Sequence, residues 1–426
     1  MSQNKERVIL AYSGGLDTSC ILVWLIKKGY DVICYLANIG QNEDFDAAET
    51  KAMFLGAKKI IVEDLRENFI IDYVWPSIRG GLIYEDRYLL GTSLARPCIA
   101  SGLVRAAIRE NANFISHGAT GKGNDQVRFE LACYSLHPTV KASILSLFSL
   151  HSSSYRIIAP WRLPEFFTRF AGRQALFEFA AANSIPLPVS PKNPWSCDAN
   201  LMHISYESGI LENPDQEAPE TLYQMTTAPE TSSNDPTVLE ITFDKGNPIS
   251  LRNPQTNELI TEPLALYVRL NEIAGRHGIG RIDIVENRFL GLKSRGIYET
   301  PAGTVLYHAH LDLEVLTMDR EVRKIKQNLQ QKMADLVYCG FWFSPELDFI
   351  RHCIDTSQKC VDGIVRVSLF KGQVRILGRR SQRSLYNQEL VSMDEHGGYD
   401  PVDAGGFIRA HAIRLKEYYR VKAETE

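Results

Sequence analysis

The feature that most constrains the fold is the five-residue apolar run Val8-Ile9-Leu10-Ala11-Tyr12, broken by Ser13-Gly14-Gly15 and followed by a helical pattern from Thr18 to Lys28. A strand that is apolar without alternation needs cover on both faces, which is the condition inside a parallel sheet. Gly29 stops the helix. The pattern then repeats: a run at Val32–Leu36, a helical stretch at Phe45–Leu55 ended by Gly56, and a run at Lys59–Val62. Strand–helix–strand–helix–strand predicts an α/β fold with a doubly wound parallel sheet. Asn113–Ser116 adds a strand leading into a Gly-rich loop, and Arg173–Asn183 reads as a helix before Pro186, Pro188, Pro191 and Pro194.

Beyond those prolines the pattern changes. Glu212–Pro236, rich in Pro, Glu, Thr, Asn and Ser, reads as an excursion with little regular structure. Short β-like runs follow at Val238–Phe243, Gly363–Phe370 and Gln373–Leu377, the last two joined by a hairpin at Lys371-Gly372. Helices are expected at Leu264–Arg276, Arg320–Val337 and Phe407–Lys422. The chain is therefore expected to divide into a nucleotide-binding domain over residues 1–190, an α+β domain over 191–400 and a helical tail over 401–426. A length of 426 residues, too great for one ordinary core, agrees with such a division.

Charge and cysteine content narrow the class. Lys and Arg number 47 against 51 Asp and Glu, a net charge of −4, so no basic footprint for nucleic acid is present. No apolar run reaches the roughly 18 residues that a membrane helix needs. The polar start, Met1–Arg7, is unlike a secretory signal. The eight cysteines contain no CxxC pair, which argues against a zinc site or a disulfide framework and for a reducing cytoplasm.

The turn after the first strand carries the chemistry. In Ala11-Tyr12-Ser13-Gly14-Gly15-Leu16-Asp17-Thr18-Ser19, glycines let backbone approach an anion at a helix start. Ser13, Thr18 and Ser19 add hydroxyl donors, and Asp17 suits a Mg²⁺ ion held beside phosphates. No lysine follows the glycines, so this is not a Walker A loop, and the spacing is not GxGxxG. SGGLDTS resembles the SGGxDS signature of the PP-loop ATP pyrophosphatases. Those enzymes adenylate a substrate oxygen and release pyrophosphate, a reaction that needs mainly positioning and charge neutralisation.

Four further segments sharpen the resemblance. They are Tyr84–Pro97 (YEDRYLLGTSLARP), Ser116–Arg128 (SHGATGKGNDQVR), Pro191–Ser196 (PKNPWS), and the pair Arg281–Arg288 (RIDIVENR) and Ser294–Glu299 (SRGIYE). Together, in order, from Val8 to about Tyr419, they resemble the argininosuccinate synthase family. The resemblance implies an ATP-dependent C–N ligase that activates citrulline as citrullyl-AMP and joins it to aspartate. It makes the second domain the synthetase domain and the tail an oligomerisation helix. It places ATP on Ala11–Ser19 and Ala37, with Ser116, His117, Gly118, Ala119, Thr120, Gly121, Lys122, Gly123 and Asn124 closing over the nucleotide. It assigns citrulline to Tyr88, Ser93, Asn124, Arg128, Ser196, Ser205, Glu286 and Tyr298, and aspartate to Thr120, Asn124 and Asp125. Asp17, Asn124 and Asp125 carry the reaction on this reading, with Mg²⁺ held near Asp17 through the ATP phosphates. Arg128 suits the citrulline carboxylate and Glu286 its ammonium, while His117 is expected to serve as a local hydrogen-bond partner rather than a proton carrier. An inactive homologue acting as a binding protein is the alternative, weakened because every expected site residue is present.

The resemblance also points to a homotetramer, to which the tail would contribute the stripe Phe407, Ile413, Leu415 and Tyr418. One segment departs from the family pattern: Lys141–Tyr155, apolar and serine-rich, is expected to bulge from the surface and leave the site residues in place.

Overall fold

The computed structural model describes residues 5–121, 123–137, 141–142, 156–186, 195–393 and 398–425. Residues Met1–Arg383 form one compact unit and Ser384–Glu426 a second. In the first unit, six parallel strands make a sheet: β1 (Arg7–Ala11), β2 (Asp31–Asn38), β3 (Lys59–Asp64), β4 (Phe114–Ser116), β5 (Lys141–Ala142) and β6 (Arg156–Ile158), in the order β3-β2-β1-β4-β6-β5. Helices α1 (Leu16–Lys27), α2 (Phe45–Phe54), α3 (Gly91–Arg109), α4 (Asp125–Leu136) and α5 (Arg173–Ala182) accompany it.

The apolar run is covered on both faces, as its sequence requires. Val8 and Leu10 pack into one core with Leu22, Trp24, Leu25 and Phe166, whereas Ile9 packs into another with Tyr35, Leu103 and Val104. The strand order reverses direction between β1 and β4, which pair directly. In such a sheet the crevice beyond the carboxyl ends of those two strands is where ligands bind. The Ser13–Gly15 turn leaves β1 and the His117–Gly123 loop leaves β4, so both expected loops open there.

The rest of the first unit is α+β. β7 (Ser196–Ala199), β8 (Ile204–Glu207), β12 (Arg281–Asn287) and β13 (Lys293–Glu299) form a four-stranded antiparallel sheet. β9 (Thr237–Asp244), β10 (Asn247–Asn253), β11 (Glu258–Ile260), β14 (Gly363–Phe370) and β15 (Gln373–Arg380) form a five-stranded one. Helices α6 (Pro263–Arg276), α7 (Pro301–Thr317), α8 (Arg320–Cys339) and α9 (Pro345–Ser357) complete it. β14 and β15 join through Lys371 and Gly372, both at positive φ (43° and 78°), the two-residue hairpin turn foreseen at this junction. The excursion, Glu212–Pro236, holds one 3₁₀ turn of its own, Glu220–Leu222, and begins at the last residue of another, Gly209–Glu212.

The second unit contains a 25-residue helix, α10 (Pro401–Thr425), longer than the stretch read from sequence. Of the apolar and serine-rich insertion, only Lys141 and Ala142 are described, and they pair with Arg156 and Ile157 at the sheet edge. The rest of it, 143–155, lies outside the described residues, as do Lys122 and the proline-rich residues 187–194.

Candidate active site

A cavity of about 980 Å³ opens at the β1–β4 crevice and runs to the four-stranded antiparallel sheet. Its walls include Ala11, Tyr12, Ser13, Gly15, Asp17, Thr18 and Ala37 from the parallel sheet and its first loop. The second loop adds His117, Gly118, Ala119, Thr120, Gly123 and Asn124. Asp125 and Arg128 come from α4, Tyr88 from the segment before α3, Ser205 from β8, and Glu286 and Tyr298 from the β12–β13 hairpin. Segments far apart in sequence thus converge on one space. Gly14, Leu16, Ser19, Ser116 and Gly121 support the loops without facing it. Ser93 and Ser116 are wholly buried, their hydroxyls without partners among the described residues. Ser196 begins β7, is exposed, and is not part of the wall.

The first loop leaves backbone amides open at the start of α1. Gly15 caps α1 in an extended conformation with no side-chain cap, leaving the opening amides of the helix without an intrahelical acceptor. Ser13 and Thr18 hydroxyls bind each other at 3.0 Å, closing the turn. Tyr12 and Ser19 hydroxyls do the same at 3.2 Å. The second loop presses on the first: a Cβ on Gly118 would lie 2.9 Å from the Thr18 methyl. Glycine is required there because the two loops meet.

His117 is held by a hydrogen bond at each ring nitrogen. Its Nδ1 accepts the Ala119 amide at 3.3 Å, so Nε2 carries the proton and donates to Glu130 Oε1 at 3.1 Å. Glu130 also accepts Arg162 at 2.6 Å. The local role expected of His117 is the one its bonds describe. Asn124 ties the loop to the far wall, since its Oδ1 accepts the Phe289 amide at 3.1 Å.

Charge is concentrated where α4 meets the antiparallel sheet. Arg128 donates from Nε to the Tyr338 carbonyl at 2.9 Å and from Nη1 to Asp125 at 3.0 Å, with its guanidinium 5.0 Å from the Tyr338 ring centre. Among the described residues no hydrogen bond is made by Arg128 Nη2. Asp125 also accepts Arg96 Nε and Nη2 at 3.0 and 2.8 Å. Burial by itself would raise the Asp125 pKa, but the charges of Arg96 and Arg128 outweigh it and hold the group well below the usual carboxylate range. Glu286 is 6% exposed; burial raises its pKa, while the Tyr298 hydroxyl donates to Oε1 at 2.7 Å. Its Oε2 is buried and has no hydrogen-bond partner among the described residues. The Tyr338 hydroxyl also acts on this carboxylate and, with Tyr298, opposes the rise that burial causes.

Several wall residues escape sequence reasoning. Arg96 bridges Asp125 and Asp198, which it reaches at 2.7 Å. The Thr92 hydroxyl lies 3.3 Å from Asp198 Oδ2 and 2.9 Å from His203 Nε2. Tyr88 stacks on Tyr298 with ring centres 4.3 Å apart and on His203 at 6.0 Å. Gly91 makes room, since a Cβ there would stand 2.4 Å from the His203 ring. Thr92 and Arg96 sit in the motif around Tyr88, so proximity to that motif was the available signal. Asp198 and His203 are joined to it only by contacts across about a hundred residues.

Among the described residues, no helix is long and apolar enough to cross a membrane. The profile of the arginosuccinate synthase N-terminal HUP domain matches residues 7–186, and that of the arginosuccinate synthase C-terminal domain matches residues 195–418. Argininosuccinate synthase from Xenopus tropicalis is 61% identical over 422 residues, covering 99% of this chain and 99% of that one. The Homo sapiens enzyme is 60% identical over 422 residues with the same coverage of both chains. Two profiles spanning most of the chain, and full-length relatives at such identity, place this chain in the argininosuccinate synthase family.

Proposed function

We infer that the cavity joins citrulline to aspartate at the expense of ATP, forming argininosuccinate with release of AMP and pyrophosphate. The observation that carries this reading is that an anion-receiving amide loop and a two-charge clamp for an amino-acid head open onto one space. ATP lies with its β- and γ-phosphates on Ser13–Ser19 and its base near Ala37, under the Ser116–Asn124 loop. Citrulline lies with its carboxylate on Arg128 and its ammonium on Glu286 Oε2. Tyr88, Asn124, Ser205 and Tyr298 surround the remainder; Ser93 and Ser196 belong to this set by resemblance alone. The citrulline ureido oxygen attacks the α-phosphorus and pyrophosphate leaves. The amine of aspartate, held by Thr120, Asn124 and Asp125, then attacks the ureido carbon and AMP leaves.

Asp17, on the cavity wall in the first turn of α1, suits one position of a Mg²⁺ shell. Among the described residues no cluster of three or more His, Cys, Asp or Glu could hold a metal, so phosphate oxygens and water would supply the other ligands. Such an ion neutralises charge on the leaving pyrophosphate. A catalytically inactive binding protein is the alternative, and neither the domain profiles nor the full-length relatives favour it. Pyrophosphate release that requires the chain, ATP and citrulline together, followed by argininosuccinate when aspartate is added, separates the two. Absence of citrulline-dependent release would overturn the ligase reading.

The division at 1–190, 191–400 and 401–426 is proposed for the folding units, a homotetramer for the assembly, and the cytoplasm for the location. The free cysteines, four of them buried, suit a reducing compartment.

A further inference from the structure

The anion-binding loop contains no lysine, yet one stands behind it. Lys51, on α2, places Nζ 2.8 Å from the carbonyl oxygen of Gly14. Among the described residues, the Lys51 ammonium has no other hydrogen-bond acceptor. The helix lies against the loop, since a Cβ on Gly14 would sit 3.4 Å from the Cβ of Ala48, one turn before Lys51. Lys51 does not line the large cavity; it faces a small apolar recess with Ala47, Thr50, Phe54 and Pro186.

The peptide that Lys51 touches is unusual. Gly14 has φ +70° and Gly15 has φ −71° with ψ 179°. Two glycines flank the Gly14–Gly15 peptide, so no Cβ on either side resists its rotation. In a planar trans peptide the carbonyl and the following N–H point in opposite directions. Gly15 lines the large cavity and Gly14 does not, so rotation of this one unit would exchange an N–H for a carbonyl oxygen at the cavity wall. A loop so turned would repel a phosphate where it should donate to it. Holding the Gly14 oxygen on the far side is therefore equivalent to holding the Gly15 N–H toward the ligand.

We propose that Lys51 is a positioning residue that locks the Gly14–Gly15 peptide in its anion-binding orientation, which rests on the reading of this loop as the seat of the ATP β- and γ-phosphates. Ser19 Oγ gives the same carbonyl a second, longer bond at 3.4 Å. Lys51 is the stronger anchor because it brings a charge. Burial lowers the Lys51 pKa, so its ammonium is incompletely solvated and gains more from the carbonyl than it would in water. The role is distinct from that of a Walker lysine, which touches phosphate directly. Here the lysine acts through the loop, from the side opposite the substrate.

The test uses the full chain with Lys51→Met and Lys51→Arg, reading MgATP and citrulline kinetics, inorganic pyrophosphate affinity by calorimetry, and thermal unfolding. Lys51→Met is expected to raise the MgATP KM and weaken pyrophosphate binding on the order of tenfold, corresponding to ~1.4 kcal/mol. The citrulline KM should stay near normal, and Lys51→Arg should restore most of the loss. If Lys51→Met lowers only the unfolding temperature and leaves both phosphate affinities intact, Lys51 merely packs the helix and the proposal fails. It fails equally if Lys51→Arg is as impaired as Lys51→Met. Should Lys51→Met not fold, Lys51→Gln is read by the same two affinities. Gly15→Val separates this idea from its premise. If that variant still binds pyrophosphate normally, the loop is not the phosphate seat and the functional reading falls. If it loses pyrophosphate while Lys51→Met does not, only the role of Lys51 falls.

Discussion

Arg128 and Asp125 stand one turn apart on α4 and share a 3.0 Å ion pair, and that pairing limits what either side chain can do. Arg128 spends Nε on the Tyr338 carbonyl and part of Nη1 on Asp125, so its orientation is set before any ligand arrives. Asp125, gripped by Arg96 as well, stays ionised far below neutral pH and cannot act as a base for an ammonium group there. Its available role toward an amine is to accept a hydrogen bond.

Arg128→Lys should therefore fail as a conservative change. A lysine cannot hold the Tyr338 carbonyl, Asp125 and a substrate carboxylate at once from one planar fork. Losing a charged hydrogen bond costs about 1.5–3 kcal/mol, which corresponds to a citrulline KM raised roughly 10- to 100-fold. The MgATP KM should remain near the parent value. Steady-state kinetics with each substrate varied in turn decide it, and a collapse of nucleotide affinity instead would contradict the assignment.

Asp17→Asn probes the other end of the cavity. The change keeps size and leaves the first turn of α1 able to form, so melting temperature and circular dichroism should be those of the parent. If Asp17 faces the Mg²⁺–triphosphate as proposed, removing its charge should lower citrulline-dependent pyrophosphate release by roughly 100-fold or more, the scale typical of lost electrostatic stabilisation. A folded variant with near-parental turnover would end this role for Asp17.

The parallel sheet was legible because its strands are apolar runs bounded by Gly, a local signal. The hairpin that carries Glu286 and Tyr298 was not. RIDIVEN and KSRGIYE mix charge with apolar residues because one face of this sheet lines a polar cavity, and period-two alternation is blurred. α3 was hidden by Pro97 within it, which counts against a helix in any local reading. β7, SCDA, has almost no apolar character and is held by pairing with β8. At the site, the glycine and hydroxyl loop was legible because its residues are contiguous in the chain and lie directly after the first strand. The Arg96–Asp198–Thr92–His203 network did not, since each link is made by tertiary folding.

Acid should destabilise the chain partly through two buried histidines. Burial drives His203 down to about 3 and His310 down to about 4, from the usual 6.5. Each is neutral in the fold and gains a proton on unfolding. The unfolded state thus binds more protons at pH values below about 6.5, and stability falls as pH drops toward the folded pKa. Each group should contribute a loss of about 2 kcal/mol between pH 7 and pH 5. Urea midpoints at the two pH values should converge in His203→Gln relative to the parent. An equally large acid loss in the variant would show that His203 is not a source of it.

The tail offers the last prediction. α10 runs 25 residues, roughly 37 Å of helix, and carries Phe407, Ile408, Ile413, Leu415, Tyr418 and Tyr419 at 48–67% exposure. So much exposed apolar surface on one helix marks a contact surface or an aggregation hazard. Helix stability in proteins comes mainly from packing an apolar face rather than from propensity. The cavity walls, by contrast, all lie between Ala11 and Tyr338. A tail that mediates assembly without supplying the site should be separable from the chemistry. Removing residues 401–426 should lower the particle mass in light scattering from four chains to fewer. Citrulline-dependent pyrophosphate release should persist at a measurable fraction of the parent rate. A truncated chain that still runs as a tetramer would show that the helix docks elsewhere, and the proposed assembly role would be lost.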